Sequence, residues 1–311
     1  MTQTGTPDAS SDSPGAIPPF RAEPGTLYVV ATPIGNLRDV TLRALDILCT
    51  ADVIAAEDTR VTATLLGRHG ITANPVSVRA HNEARASDRI IEALRACRSV
   101  ALVTDAGTPA VSDPGARLVR AVRDAGVPVV PIPGPSAVAT AVAGAGLRAE
   151  RFVFVGFLPA QDKARRALLE TLAALPMALV IYEAPHRVRD TVRDLHRALG
   201  ERELIVAREL TKAFETISVV PLPEAAEWLG GDPNRERGEF VLIVDAPASV
   251  APAAQLSAQD EQWLRALLRE LPPARAARIV SEVTGASRQT CYARAMQIKD
   301  QRGGEPDQTP R

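Results

Sequence analysis

Three short apolar runs, each followed by a loop rich in proline and glycine, restrict the fold of this chain more than any other feature. The runs occupy 27–31, 100–103 and 127–132, and each has the length and β-branched content of a buried strand. The loops after them read PIGN from Pro33, TDAGTP from Thr104 and PGPS from Pro133. Helical patterns alternate with these strands, which predicts a largely parallel sheet. Because the carboxyl ends of parallel strands share one edge, the three loops are expected to meet there.

The alternation of strands and helices divides the chain into four segments. Residues 1–24 contain five prolines and no periodicity, so they are expected to form a disordered tail. Residues 25–148 are predicted to form an N-terminal α/β domain. Residues 149–247 form a second α/β domain, whose sheet is predicted to be mixed because strand follows strand in places. After an Ala/Pro linker, 256–300 are predicted to form a small helical module.

Composition excludes several classes of protein. The net charge of −1 gives no global attraction to nucleic acid, so an RNA substrate would need a local basic patch. The three cysteines are odd in number and far apart, which argues against a disulfide framework or a zinc motif and suits a reducing cytoplasm. No apolar run approaches the ~20 residues of a membrane span. The four histidines form no ligand-spaced cluster, so no metal is expected.

The Pro/Gly loops are not phosphate-binding loops of a common kind. The chain has no GxxxxGK[ST] segment and no GxGxxG after a strand, which argues against a nucleoside triphosphatase or a dinucleotide dehydrogenase. A structural alternative is that the loops only connect strands to helices. On either interpretation Asp113 is predicted to cap the next helix, with Pro114 as its first residue.

Nine segments carry a resemblance to a known family. In chain order they are VATPIGNLRDVTLRAL from Val30, AAEDTR from Ala55, HNE from His81, VTDAGTPAVSDPG from Val103, PIPGPSA from Pro131, FVGFLP from Phe154, YEAPHR from Tyr182, ARELTK from Ala207 and GEFVLIV from Gly238. Together they resemble the tetrapyrrole methylase superfamily of S-adenosylmethionine-dependent methyltransferases. Within it they are most similar to enzymes that methylate the ribose 2′-hydroxyl of a cytidine in 16S rRNA of the small ribosomal subunit. The resemblance implies S-adenosyl-L-methionine in a cleft between two α/β domains, and a homodimer.

The resemblance also implies which residues contact the cofactor. They are Pro33, Gly35, Asp105, Gly107, Thr108, Ser136 and Tyr182. Three of these have plain structural alternatives. Asp105 could bind its own loop backbone, Ser136 could cap a helix, and Tyr182 could be a core residue.

Methyl transfer to oxygen requires alignment of hydroxyl, methyl group and sulfur, and the removal of one proton. The candidates that follow predicted strands are Glu57, Asp58, Arg60, His81, Asn82, Glu183, His186, Glu209 and Lys212. We predict Lys212 as the base, with its pKa lowered in a dry cleft and Glu57 as its charge partner. Arg60 is predicted to neutralise a phosphate. Alternatively, Glu57–Arg60 and Glu209–Lys212 are structural ion pairs, since each pair is three residues apart.

The C-terminal module carries the basic residues that an RNA partner would need. Residues 271–299 contain one acid, Glu282, and five bases, which are Arg275, Arg278, Arg288, Arg294 and Lys299. Two predicted helices flank a Thr284–Gly285 break and resemble a helix-turn-helix, although a plain helical hairpin with a solvated face is the alternative. A second basic cluster follows the FLP loop at Lys163, Arg165 and Arg166.

Two other functions are consistent with the same motifs. One is a tetrapyrrole C- or N-methyltransferase, which would leave the basic module unexplained. The other is a non-catalytic RNA-binding protein, which would not bind S-adenosylmethionine.

Overall fold

The computed structural model describes residues 18–78, 83–247 and 256–302. The chain forms two compact units, a larger one that ends at Asp245 and a smaller one that begins at Ala246. The larger unit contains both predicted α/β segments, and the smaller unit contains the predicted helical module.

The first half of the larger unit alternates strands and helices. Its elements are β1 Leu27–Val30, α1 Leu42–Thr50, β2 Val53–Ala56, α2 Thr59–Arg68, β3 Val76–Ser77, α3 Glu83–Arg95, β4 Val100–Val103, α4 Ala116–Asp124 and β5 Val129–Ile132. The strands lie in the order β3-β2-β4-β1-β5, and every pairing is parallel. The prediction of a parallel sheet is confirmed.

The second half of the larger unit contains more strands in succession. Its elements are α5 Ala137–Ala145, β6 Phe152–Phe157, α6 Asp162–Ala173, β7 Ala178–Glu183, α7 Val188–Leu199, β8 Glu203–Arg208, β9 Thr216–Pro221, α8 Ala225–Gly230 and β10 Phe240–Val244. The strand order is β6-β7-β10-β8-β9. Only the β6–β7 pairing among these is parallel, so the predicted mixed sheet is confirmed.

Helix α5 packs on the second sheet, not on the first. Val138 and Ala141 of this helix lie in the same core as Val180 of β7 and Ile243 of β10. The helix is built of small residues and approaches the sheet closely, since a Cβ at Gly144 would lie 2.6 Å from Ile217 Cδ1. Helix α5 therefore belongs to the core of the second sheet although it precedes the predicted domain boundary at 148/149.

Two residues near the end of the predicted 1–24 tail contact the first α/β half. The backbone N–H groups of Phe20 and Ala22 donate to Asp46 Oδ2 and Thr50 Oγ1 of α1, at 2.9 and 3.0 Å. The Phe20 ring also meets Tyr28 edge-on, with centroids 6.4 Å apart. These contacts hold the chain before β1 against the first sheet. The part of the predicted tail at 1–17 lies outside the described residues.

The smaller unit is a three-helix module with α9 Ala258–Leu267, α10 Pro273–Thr284 and α11 Arg288–Arg302. Ser257 and Asp260 form a capping box at the start of α9. Gly285 ends α10 in the left-handed conformation, with φ at 76°, so the predicted break lies where the sequence placed it. Within the described ranges, no helix is both long and apolar enough to cross a membrane.

Candidate functional site

The loops that end β4, β1 and β5 meet as predicted, because these three strands are neighbours in the sheet. Thr32 and Gly107 form an isolated bridge, and their backbone N–H groups donate to each other's carbonyls at 2.9 and 3.1 Å. The Thr108 hydroxyl donates to the carbonyl of Pro135 at 3.1 Å. One strand-end loop is therefore bonded to both of the others, which fixes the geometry of this edge.

A cavity of about 310 Å³ lies between these loops and the second sheet. Four of the seven predicted cofactor contacts line it, namely Gly107, Thr108, Ser136 and Tyr182. Its volume is at the lower end of the range of small-molecule sites. The other three predicted contacts lie elsewhere. Pro33 and Asp105 line a second, smaller cavity, and Gly35 packs on Lys212.

Two residues of the cavity wall have a second role that the sequence left open. Ser136 occupies the N-cap position of α5, but its side chain makes no capping hydrogen bond. Its hydroxyl is therefore available to a ligand in the cavity. Tyr182 packs edge-on against Phe154 and Phe157, with centroids 4.9 and 5.6 Å away. Burial raises the pKa of its phenol, so Tyr182 stays neutral. It is both a core residue and part of the wall.

Asp113 is the wall residue that sequence reasoning misassigned. It does not cap α4, which begins at Ala116. The cap comes from the buried Glu83 of α3, whose Oε1 accepts from the N–H groups of Gly115 and Leu118 at 3.2 and 3.1 Å. Asp113 instead lines the cavity. Its motif gave no signal of this, because the cap is supplied from 32 residues away.

The environment of Asp113 is unusual for a carboxyl group. Burial, and then the negative charges of Glu57 and Asp105, raise its pKa to about 6. The loop that presents it contains two non-glycine residues with positive φ, Ala110 at 68° and Ser112 at 64°. Such strain is characteristic of ligand clamps. A cation bound in this cavity would therefore lie beside the Asp113 carboxyl group, on which the negative charges of Glu57 and Asp105 also act.

The prediction for Lys212 is wrong in two respects. Its Nζ donates to Glu209 Oε1 at 2.9 Å and to Glu239 Oε2 at 2.8 Å, so Glu57 is not its partner. Burial would lower the pKa of Lys212, but the hydrogen bonds to Glu239 and Glu209 outweigh it and the pKa is raised. The ammonium therefore stays charged at neutral pH and is unsuited to act as a base. The structural alternative, a Glu209–Lys212 pair, is confirmed.

The Lys212 turn nevertheless lies next to the loop after β1. A Cβ at Gly35 would lie 2.6 Å from Lys212 Cγ, so only glycine allows this approach. The Thr211 hydroxyl accepts from the backbone N–H of Asn36 at 3.0 Å. Gly35 therefore allows the loop after β1 to pack on the Lys212 turn. It does not line the larger cavity, whose wall includes its neighbour Ile34.

Glu57 and Arg60 do not form the ion pair that their spacing allowed. Arg60 pairs with Asp58 at 2.7 Å, and its side chain is 85% exposed. Glu57 Oε2 accepts from the N–H of Asp105 at 3.4 Å. Glu57 and Arg60 therefore lie just after β2, beside the loop after β4.

Of the other candidates, Glu183 has structural partners, His81 and Asn82 lie outside the described residues, and His186 is exposed in the turn after β7. Glu183 is buried and accepts from the Thr191 hydroxyl at 2.5 Å and from the N–H of Ala184. Arg165 is buried against Asp194, so it is not part of an RNA-binding surface. No group of three or more His, Cys, Asp or Glu among the described residues could hold a metal ion.

Four of the five predicted RNA-binding residues are exposed on the helical module. Arg275, Arg278, Arg288 and Lys299 face solvent. Arg294 instead donates to Glu261 Oε1 at 2.6 Å and ties α11 to α9. Of the predicted set, four cationic side chains are therefore accessible to a polyanion, whereas Arg294 is used internally.

Comparison with known proteins defines the class to which this fold and cavity belong. A model of the Tetrapyrrole (Corrin/Porphyrin) Methylases matches residues 26–226. The chain also resembles two solved structures. Uroporphyrin-III C-methyltransferase from Thermus thermophilus, complexed with S-adenosyl homocysteine, has a TM-score of 0.51 at 23% identity over 71% of this chain and 97% of its own. Cobalt precorrin-4 methyltransferase has a TM-score of 0.53 at 16% identity, over 70% and 94%. The chain belongs to the tetrapyrrole methylase family.

Relatives of higher sequence identity show to which branch of the tetrapyrrole methylases the chain belongs. Proteins named ribosomal RNA small subunit methyltransferase I are 44% identical in Escherichia coli O157:H7, over 88% of this chain and 95% of theirs, and 47% identical in Xylella fastidiosa, over 86% and 98%. A model named RsmI C-terminal HTH domain matches residues 254–299, in agreement with the predicted helix-turn-helix. Within the tetrapyrrole methylases the chain therefore belongs to the ribosomal RNA small subunit methyltransferase I family.

The cofactor of this family is S-adenosyl-L-methionine, and the larger cavity fits it. The donor contains no phosphate, and the loops contain no phosphate-binding motif. Its adenosyl and methionine parts need hydroxyl partners and apolar walls, which Thr108, Ser136 and Leu210 provide. Its positive charges suit the carboxyl group of Asp113.

Proposed function

We propose that this chain transfers the methyl group of S-adenosylmethionine to the ribose 2′-hydroxyl of a cytidine in 16S rRNA of the small ribosomal subunit. The observation that supports this most directly is the cavity at the meeting point of three strand-end loops, which supplies hydroxyls and a carboxyl group. The names of the relatives indicate ribosomal RNA as the substrate class. Because ribosomal subunits are assembled in the cytoplasm, we place the activity there.

When bound, the cofactor supplies an electrophilic methyl group on a sulfonium centre. The residues of the cavity wall hold it: the Gly107 turn allows close approach, and the hydroxyls of Thr108 and Ser136 orient it. Glu57 and Arg60 remain our proposed catalytic residues. We propose that the Glu57 carboxylate, which lies beside the loop after β4, takes up the proton of the ribose hydroxyl, and that the exposed Arg60 guanidinium binds a neighbouring phosphate.

The helical module is proposed to hold the rRNA. Its exposed cations, Arg275, Arg278, Arg288 and Lys299, are suited to contact phosphates, which contribute most of the affinity in RNA binding. A tetrapyrrole substrate would make no use of these side chains. This difference favours the rRNA substrate over the tetrapyrrole alternative.

The test is transfer of tritiated methyl groups to small subunits from a strain lacking this protein. We expect label in 16S rRNA, recovered as 2′-O-methylcytidine. Ala137→Trp, which fills the cavity, should abolish transfer. Ala164→Trp makes the same change on the exposed first turn of α6 and should not. Label in a tetrapyrrole and none in rRNA would refute the proposal, and absence of S-adenosylmethionine binding by calorimetry would favour a non-catalytic RNA-binding protein.

We also expect a homodimer, as the family resemblance implies. Light scattering of the purified protein should give twice the 33.0 kDa mass of the chain. A mass of one chain at micromolar concentration would contradict this expectation.

A further inference from the structure

A second cavity, of about 240 Å³, lies beside the first. Its wall is built by the loop after β1, by one face of α2 and by the end of β4, and includes Pro33, Leu37, Val61, Thr64, Thr104 and Asp105. The function assigned to the first cavity does not use this space.

One buried group in this wall has no hydrogen-bond partner in the described part of the protein. Thr104 is 2% exposed, and its hydroxyl oxygen makes no hydrogen bond. A buried hydroxyl without a partner costs about 1–3 kcal/mol, and such groups are rare in folded proteins. The cavity that Thr104 lines therefore contains a polar atom that a ligand would satisfy.

The two cavities share their walls. Pro33 and Asp105 line the smaller cavity, while their chain neighbours Ile34 and Ala106 line the larger one. The bridge between Thr32 and Gly107 joins the same two loops. A ligand in the smaller cavity would consequently lie directly beside a methyl donor in the larger one.

The wall of the smaller cavity has an apolar side and a polar side. Pro33, Leu37 and Val61 form an apolar side, and Leu37 and Val61 are 40% and 45% exposed. The polar side includes Thr104 and Asp105, and the Asp105 carboxylate is held in place by the N–H of Asp58 at 2.9 Å. A planar base fits against the first side, and a hydroxyl-bearing sugar fits against the second.

We propose that this cavity binds the ribonucleoside that is to be methylated, with its base against Pro33, Leu37 and Val61 and its ribose hydroxyls toward Thr104 and Asp105. Arg60, one residue before Val61 on α2, then lies where the nucleoside's phosphate leaves the cavity. The volume admits one nucleoside, so the target nucleotide must be turned out of its helix or loop to enter. This inference rests on the proposed function.

The first test is direct binding of cytidine 5′-monophosphate to protein saturated with S-adenosylhomocysteine, followed by NMR titration. We expect shifts at α2 and at the end of β4, and no displacement of S-adenosylhomocysteine. Thr64→Tyr fills the cavity and should abolish these shifts. Thr171→Tyr is the matched control, because both threonines are exposed on helices and donate to a carbonyl of the preceding turn. Absence of shifts in the wild type up to the solubility limit, or shifts that survive Thr64→Tyr, would overturn the inference.

The second test is methyl transfer to small subunits. Thr64→Tyr should lower kcat/KM by about 100-fold and Thr104→Val by about tenfold, while calorimetric affinity for S-adenosylmethionine stays within about twofold. If wild-type protein methylates rRNA and Thr64→Tyr does so equally well, this inference fails and the proposed function stands. If cytidine 5′-monophosphate binds as expected but rRNA receives no methyl group, the proposed function fails and the nucleoside site stands.

Discussion

Asp113 is a carboxyl group whose surroundings raise its pKa to about 6, and a neighbouring cation would favour its charged form. It lines the larger cavity, and Glu57 and Asp105 are the charges that act on it. S-adenosylmethionine carries a sulfonium charge that its product S-adenosylhomocysteine lacks. A charged Asp113 therefore provides a means of holding the donor more tightly than the product.

We expect Asp113→Asn to weaken S-adenosylmethionine binding about tenfold at pH 8 and to leave S-adenosylhomocysteine within about twofold. In the wild type the preference for the donor should decline as the pH falls through about 6, where Asp113 takes up its proton. In the variant the preference should not change with pH. Calorimetry with both ligands measures this. Asp124→Asn, an exposed acid on α4, is the control, and an unchanged preference in Asp113→Asn would exclude this role.

The same residue should make the ligand-free protein less stable. Its pKa is raised from 3.8 to about 6, so folding favours its protonated form. That contribution is fully present below pH 3.8 and is lost as the pH rises through about 6. Asp113→Asn should therefore raise the free energy of unfolding by about 1–2 kcal/mol at pH 8, after allowance for solvent screening, and by almost nothing at about pH 3. Urea titrations at both pH values measure this, and a gain that is equal at both would point to packing instead.

At the scale of elements, sequence patterns identified nearly every strand and helix but not all of their partners. Ser136 indicated the start of α5 in the sequence, yet a cap carries no information about which sheet the helix covers. The cap of α4 was assigned to a neighbour in sequence because Asp-Pro-Gly is a typical start signal, whereas it comes from Glu83 on α3. The pKa of Lys212 depends on Glu239, which is 27 residues away. Tertiary contacts of this kind leave no local signal.

The cap supplied by Glu83 should determine how well the Asp113 loop is held. We expect Glu83→Gln to lower the free energy of unfolding by about 1–2 kcal/mol, because the negative charge at the N-terminus of α4 is lost. Donor affinity should fall as well, since Gly115 ends the loop that carries Asp113. Urea unfolding and calorimetry measure the two effects. Glu92→Gln on the exposed face of α3 is the control, and equal stability of the two variants would contradict this role of Glu83.

At the scale of the whole molecule, the proposed donor site and the cations proposed to bind RNA belong to different units of the chain. Reversal of Arg275, Arg278 and Arg288 to Glu should therefore leave S-adenosylmethionine affinity unchanged while lowering methyl transfer to small subunits by about 100-fold at physiological salt. The salt dependence of subunit binding should become shallower. Filter binding across salt concentrations measures this. Reversal of Arg117, Arg120 and Arg123, which are exposed on α4, is the matched control, and an equal loss there would indicate a nonspecific charge effect.

Helix α5 has a consequence for how the larger unit responds to its cofactor. Ser136 and Ala137 at its start line the cavity, and Val138, Ala141 and Ala145 are buried against the second sheet. A ligand that orders Ser136 and Ala137 would therefore also order the start of the helix that covers the second sheet. Cofactor binding and the stability of that sheet's core are consequently expected to be coupled.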